Sequence, residues 1–329
     1  MIRKTSVGDV DVYIEGKGND TIVMIHGWPD TFRLWDDLAA ELGKKHICVR
    51  FTVPGFDIRK ARRSYTYQEL SAIFAQIIDS VSPDEKVTLL LHDWGCLFGY
   101  QYYMTHRDRV AKIIGLDVGD ARSKDMKLPL GMVLFAAAYQ LFLASAWLVG
   151  GKVGDAATRW LAKKFHVRGD MRLVWSGMNY PYFSLWKNAL LGRSQGTVPF
   201  APECPMLFLY GKNKPTMFHS QAFLDRISAV KSSRAVGLDA GHWLMHDMPR
   251  ETFEEIQAWL SGKKSPMMKQ SAAAVQPGRT ASGEEKEVKA AKPAKKKAVR
   301  GIKPAAKKRV SAKKSQNTTV KKKRKSSQR

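Results

Sequence analysis

Five short runs in this chain are apolar at nearly every position: 21-TIVMIH-26, 46-HICVRFTV-53, 87-VTLLLH-92, 110-VAKIIGL-116 and 205-PMLFLY-210. A strand with one wet face alternates polar and apolar residues. A strand that is apolar throughout is covered on both faces, as in a parallel sheet between two helical layers. Helical patterns separate the runs, at Phe32–Leu42, Tyr67–Val81, Trp94–His106, His219–Ile227 and Thr252–Leu260, with a further short strand near Arg234–Leu238. Strand and helix in alternation predict the α/β class with a mostly parallel central sheet. At the N-terminus Val7 to Glu15 alternates and then meets Gly16-Lys17-Gly18, which predicts a hairpin there.

The rhythm breaks between about 121 and 200, where the chain is helix-rich, apolar and aromatic; an inserted helical cap is expected. Inside it, Leu128 to Gly151 carries no charge and is long enough to cross a bilayer. Pro129, Gly131, Gln140 and Ser145 interrupt it, and the segments on either side belong to one sheet. A helix pair that is buried or touches a membrane is therefore expected, not a transmembrane span.

The formal charge of +25 is concentrated at one end. Lys263 to Arg329 holds 23 Lys/Arg against Glu284, Glu285 and Glu287, a net of +20, while residues 1–262 carry only +5. Residues 261–329 contain no Phe, Trp or Tyr, so they cannot bury enough apolar area to offset chain entropy, and a disordered tail is expected. The predicted division is a folded domain over 1–262 and a polybasic tail over 263–329. Blocks such as 295-KKK-297 and 321-KKKRK-325 resemble linker-histone tails and nuclear-import signals. They would neutralise phosphates without reading sequence, on a nucleic acid or another polyanion, or tether the chain to anionic lipid. Cys48, Cys96 and Cys204 are sparse and show no CxxC spacing, which favours a reducing compartment over a disulfide framework or zinc site. With no apolar leader at the N-terminus, an intracellular location, cytoplasmic or nuclear, is expected. The Asn317 sequon is then read as chance. No nucleotide-binding glycine pattern is present, and neither a metal nor an organic cofactor is expected.

The third apolar run ends abruptly in 91-LHDWG-95. A buried strand, a sharp turn and an immediate helix form a nucleophile elbow, here with Asp93 at the reactive position and Gly95 where the turn crowds the helix. A carboxylate can attack an sp³ carbon and form an ester without a base. A base is needed afterwards, to activate the water that hydrolyses the ester. His242, in 237-GLDAGHW-243, is the candidate. The backbone amides of Trp28 and Trp94 are the natural oxyanion hole.

Together 26-HGWPD-30, 92-HDWG-95 and 241-GHW-243, around one inserted cap, resemble the α/β-hydrolase superfamily over roughly residues 5–262, and within it the epoxide hydrolase and haloalkane dehalogenase branch. Two positions depart from the family pattern. Leu91 stands where a small residue is usual, two before the nucleophile. Lys214 stands where the acid that orients the histidine is usual. Some dehalogenases of this branch carry that acid after the strand that follows the elbow helix, which implies Asp117, with Asp120 and Asp239 as second choices. The resemblance also implies cap tyrosines that protonate an epoxide oxygen: Tyr180, Tyr139 and Tyr182. A dehalogenase would instead need N–H donors for halide, Trp94 with Trp175 or Trp186. Trp28 in place of Asn in the HGxP turn leans toward the epoxide side. His26 and His92 read as structural neighbours, and Cys96 as helix packing. The expected activity is hydrolysis of an apolar electrophile, most readily an epoxide to a diol. The alternatives are a dehalogenase-like hydrolase and a catalytically silent ligand-binding protein tethered by its basic tail.

Overall fold

The computed structural model describes residues 2–121 and 123–267. Among them are the strands β1 (Arg3–Val7), β2 (Val10–Gly16), β3 (Thr21–Ile25), β4 (Ile47–Phe51), β5 (Val87–His92), β6 (Val110–Leu116), β7 (Met206–Gly211) and β8 (Arg234–Leu238). They form one sheet in the order β1-β2-β4-β3-β5-β6-β7-β8. β2 runs antiparallel to both its neighbours, and every pairing from β4 to β8 is parallel. The helices are α1 (Asp36–Leu42), α2 (Tyr67–Val81), α3 (Trp94–Thr105), α4 (Leu130–Val149), α5 (Gly151–Lys164), α6 (Tyr180–Leu190), α7 (Gln221–Ser228), α8 (Leu244–Asp247) and α9 (Pro249–Leu260).

The unbroken apolar runs behave as expected. Strand side chains point alternately to opposite faces, so Val23, Ile25, Leu89 and Leu91 pack into a core with α2, α3 and the cap. Ile22, Met24, Leu90 and Ile114 pack into a second core with α1 and α9. Each such side chain removed from water contributes roughly 1.5–3 kcal/mol.

The N-terminal hairpin turns at Gly8-Asp9, with Val7 opposite Val10. Gly16-Lys17-Gly18 serves another purpose. A Cβ on Gly18 would lie 2.0 Å from the Lys45 carbonyl oxygen, so the glycine permits a close pass beside the α1–β4 connection. Phe32–Leu42 divides into a 3-10 turn (Phe32–Trp35) and α1. α2 begins at its capping box, Thr66 and Glu69.

The cap is inserted between β6 and β7. α4 runs unbroken through Gly131, Gln140 and Ser145; Pro129 precedes its first residue and so removes no helical hydrogen bond. Only Leu143, Ala144 and Ala146 of α4 are buried, so α4 is not a core helix. The folded part also reaches past residue 262. Glu255 Oε1 accepts from Ser265 Oγ at 2.6 Å and from the Met267 amide at 2.8 Å, fastening that segment to α9. The polybasic segments lie outside the described residues.

Candidate active site

The elbow joins β5 to α3. Asp93 has φ 54° and ψ −126°, a backbone region that non-glycine residues rarely occupy, held here by what surrounds it. Gly95 lets α3 start against β3: a Cβ there would fall 2.1 Å from the Ile25 carbonyl oxygen. Gly27 is equally constrained, since its Cβ would lie 2.3 Å from Asp93 Oδ1. Leu91 is accommodated by a glycine one helical turn into α3. A Cβ on Gly99 would meet Leu91 Cδ2 at 2.4 Å, so the space a small residue would have left is supplied from the other side of the contact.

The two Asp93 oxygens have different surroundings. Oδ1 accepts from the Trp28 amide at 2.6 Å, and the Trp94 amide at the start of α3 also favours the carboxylate charge. Oδ2 lies 3.4 Å from His242 Nε2. One oxygen therefore sits among amides and the other faces the imidazole. Burial opposes the Asp93 charge, but the hydrogen bond and charge of His242 outweigh it and hold the carboxyl below its ordinary value.

His242 lies between β8 and α8. Its Nδ1 is 2.5 Å from Asp117 Oδ2. Asp117 follows β6 at φ 68° and is fully buried. Its other oxygen accepts from the Gly211 amide at 2.9 Å and from Lys214 Nζ at 2.5 Å. Lys214 also donates to the Gly211 carbonyl at 2.8 Å. Lys214, at the position where an acid is usual, is thus the counter-ion of the relocated acid. Burial works against the Asp117 charge, but His242 and Lys214 together hold its carboxyl low. The second choices are engaged elsewhere. Asp120 accepts from Ser220 N and Oγ, the N-cap of α7, from Ser123 Oγ, and from Arg226 in the last turn of α7. Asp239 is exposed and pairs with Lys212.

Burial disfavours the His242 cation, but hydrogen bonds to Asp117 and Asp93 exceed that penalty and raise its pKa to about 9. The stability this supplies is complete below the ordinary histidine value and is lost as pH rises through about 9. Removing the Lys214 charge makes the surroundings of His242 more negative. Lys214→Met is therefore expected to raise the His242 pKa by about one unit, read as an upward displacement of its imidazole titration by NMR; an unmoved titration would show that Lys214 does not act on the pair.

Around this line the ionisable groups are neutral or shared. His26 Nε2 accepts from the Val53 amide at 2.9 Å, and burial lowers its pKa to about 4. His92 Nε2 donates to the His242 carbonyl at 3.0 Å, and burial lowers its pKa to about 3. Cys96 is fully buried, with its thiol 3.6 Å from the Leu116 carbonyl. Asp30 was not singled out by the sequence reading. It is buried, accepts from Trp243 Nε1 at 2.9 Å, and is raised to about 7 by burial despite that bond. Its place in the HGWPD motif, two residues after Trp28, was the available signal.

The cap supplies aromatic walls. Tyr182 meets Trp94 edge-on at 5.2 Å and Trp28 at 5.9 Å. Asp93 acts electrostatically on the Tyr182 hydroxyl. Tyr139 stands 6.0 Å from Tyr182 and is also within the influence of Asp93. Burial raises both phenols above their ordinary value, so both remain protonated. Tyr180 is placed elsewhere: its ring packs against Phe56 and Tyr65, and Tyr67, Tyr65 and Glu69 are the neighbours that act on its hydroxyl. Trp175 Nε1 donates to the Phe56 carbonyl at 2.9 Å. The Trp186 indole N–H is buried with no hydrogen-bond partner among the described residues. Trp28 Nε1 donates to Asn179 Oδ1 at 2.8 Å, and Asn179 Nδ2 donates to Thr158 Oγ1 at 2.8 Å.

An eight-stranded, mostly parallel sheet, an Asp elbow and an inserted helical cap are the frame of an α/β hydrolase, and the model of the alpha/beta hydrolase family matches residues 22–255. The chain belongs to that family. Epoxide hydrolase 1 of Caenorhabditis elegans is 20% identical over 274 residues, covering 76% of this chain and 67% of the nematode protein. A haloalkane dehalogenase of Mycolicibacterium smegmatis is 32% identical over 110 residues, 32% of this chain and 35% of that protein. "Probable oxidoreductase EphD" of Mycobacterium tuberculosis is 33% identical over 97 residues, 28% of this chain; the match spans only 16% of that longer protein. In three dimensions potato (Solanum tuberosum) epoxide hydrolase I superposes with a TM-score of 0.60 at 18% identity, covering 80% of this chain and 99% of the potato enzyme. That likeness establishes the fold.

Proposed function

We propose that this chain hydrolyses apolar epoxides to diols by way of an ester on Asp93. The observation that carries the reading is the meeting of the Asp93–His242–Asp117 line with two protonated cap phenols, Tyr182 and Tyr139, near the same carboxylate. Asp93 Oδ2 attacks an epoxide carbon, the carbon–oxygen bond breaks, and the alkoxide takes a proton from a cap tyrosine. His242 starts as a cation between two carboxylates. Ester formation removes the Asp93 charge, so the His242 pKa falls; its proton passes through solvent to the tyrosinate, which restores the phenol and leaves His242 in its base form for the step that needs it. His242 Nε2 then takes a proton from water, and the hydroxide adds to the ester carbonyl. The oxyanion at Oδ1 is held by the Trp28 and Trp94 amides; on collapse His242 gives its proton to the departing diol oxygen, and Asp93, released as the acid, passes its own proton to His242 to restore the starting ion pair. Asp117 keeps His242 oriented, and Lys214 keeps Asp117 charged.

Epoxide is favoured over halide because two protonated phenols, Tyr182 and Tyr139, lie within the influence of Asp93, while the Trp175 indole N–H already donates to the Phe56 carbonyl. The test is product analysis of the full chain on aryl and alkyl epoxides and on haloalkanes. Diol is the expected product, and Tyr182→Phe is expected to lower kcat on epoxides about 100-fold. Halide release without diol would move the chain to the dehalogenase reading. Neither product would favour a silent binding protein.

A further inference from the structure

The site accounts for one face of α4, where Tyr139 is offered toward Asp93. The opposite face is covered by none of the described residues. Leu130, Leu134, Leu141, Phe142, Leu148 and Val149 are all exposed, with Leu134 at 61% and Leu148 at 62%. Spacings of four (Leu130 to Leu134) and seven (Leu134 to Leu141 to Leu148, and Phe142 to Val149) place them on one helical stripe. α5 extends it with Val153 and Trp160, and the rings of Phe142 and Trp160 join the two helices at 5.6 Å. Contiguous apolar exposure of this kind marks an interaction surface.

Charge identifies the occupant. No acid occurs from 126 to 154, and the one acid of α5, Asp155, accepts from Ser176 N and Oγ inside the cap. The stripe is bordered by cations: Lys152, Lys163 and Lys164 are exposed, with Lys164 Nζ 6.0 Å from the Trp160 ring centre, and Arg62 donates to the Trp147 carbonyl at the end of α4. A second copy docked through the same patch would set these lysines against their own equivalents. An anionic lipid surface complements both the apolar stripe and its cationic border. α4 cannot cross the bilayer while anchored here, because β6 and β7 on either side of the cap pair with each other.

We propose that the α4–α5 face docks on an anionic bilayer surface, with α4 lying in the interface plane, and that the 23 Lys/Arg of residues 263–329 provide the second, purely electrostatic attachment. An apolar helix face or a polybasic segment alone binds weakly and reversibly; the two together give stable attachment. The proposal does not depend on the hydrolase reading.

The test is co-sedimentation of the full chain with phosphatidylcholine vesicles and with vesicles containing about one-third phosphatidylserine. Leu134→Ser/Leu141→Ser/Leu148→Ser is compared with the parent, circular dichroism and thermal melting confirming its fold. The parent is expected to bind the phosphatidylserine vesicles, and the triple variant to bind at least about 10-fold more weakly. Brominated acyl chains are expected to quench fluorescence from the parent more than from Trp160→Phe, placing that ring in the lipid. Equal binding by the triple variant would overturn the proposal, because the basic segment alone would then be responsible, as it would be for a nucleic acid. So would a dimer, seen by sedimentation velocity, that the triple variant dissolves while vesicles capture neither protein.

Discussion

His242→Phe is expected to leave Asp93 carrying a stable ester. In the proposed cycle the variant keeps the nucleophile, its amides and the cap, and loses only the group that activates water, so turnover should fall about 1,000-fold or more while the first step continues. Intact mass spectrometry after incubation with an epoxide should show a gain equal to the whole epoxide, since ring opening expels nothing. A haloalkane would add only its alkyl part. Peptide mapping should place the adduct on Asp93. An unmodified Asp93 peptide, under conditions where the parent chain turns over, would remove the covalent route.

The second large effect is expected at Asp117. Asp117→Asn should lower ester hydrolysis by about 1,000- to 10,000-fold, the scale seen when the acid behind a catalytic histidine is made neutral. It should also destabilise the fold, because Lys214, with only 6% of its side chain exposed, loses its carboxylate. Asp117→Asn/Lys214→Met separates the two consequences. Removing the stranded cation should recover melting temperature but not activity. If activity returns with stability, Asp117 serves folding alone.

Much of this arrangement was legible in the chain because it is local. A fully apolar run followed by His-Asp-Trp-Gly specifies strand, turn and helix within a few residues, and the structure builds β5, the elbow and α3 from that stretch. What was not legible depends on contacts between distant segments. Leu91 reads as a departure until Gly99 is found beneath it. Lys214 reads as a lost acid until it is found against Asp117, whose distance in sequence conceals a shared sheet edge. Tyr180 and Tyr182 open the same helix two residues apart, and only the packing of α6 decides that Tyr182 turns to Trp94 while Tyr180 turns to Phe56. The apolar length of α4 was plain, but which side of it meets water is a property of the assembled cap.

The bond from Trp28 through Asn179 to Thr158 ties the turn after β3 to α5 through buried polar atoms. A cap that swings outward must break this relay where water cannot at once replace it, at roughly 1–3 kcal/mol for each group left alone. The residue it would tug, Trp28, is the one whose amide meets Asp93. The fastening of the cap and the amide at Asp93 Oδ1 therefore rest on one residue, so in the proposed cycle the closed cap is also the state in which that amide is held in place.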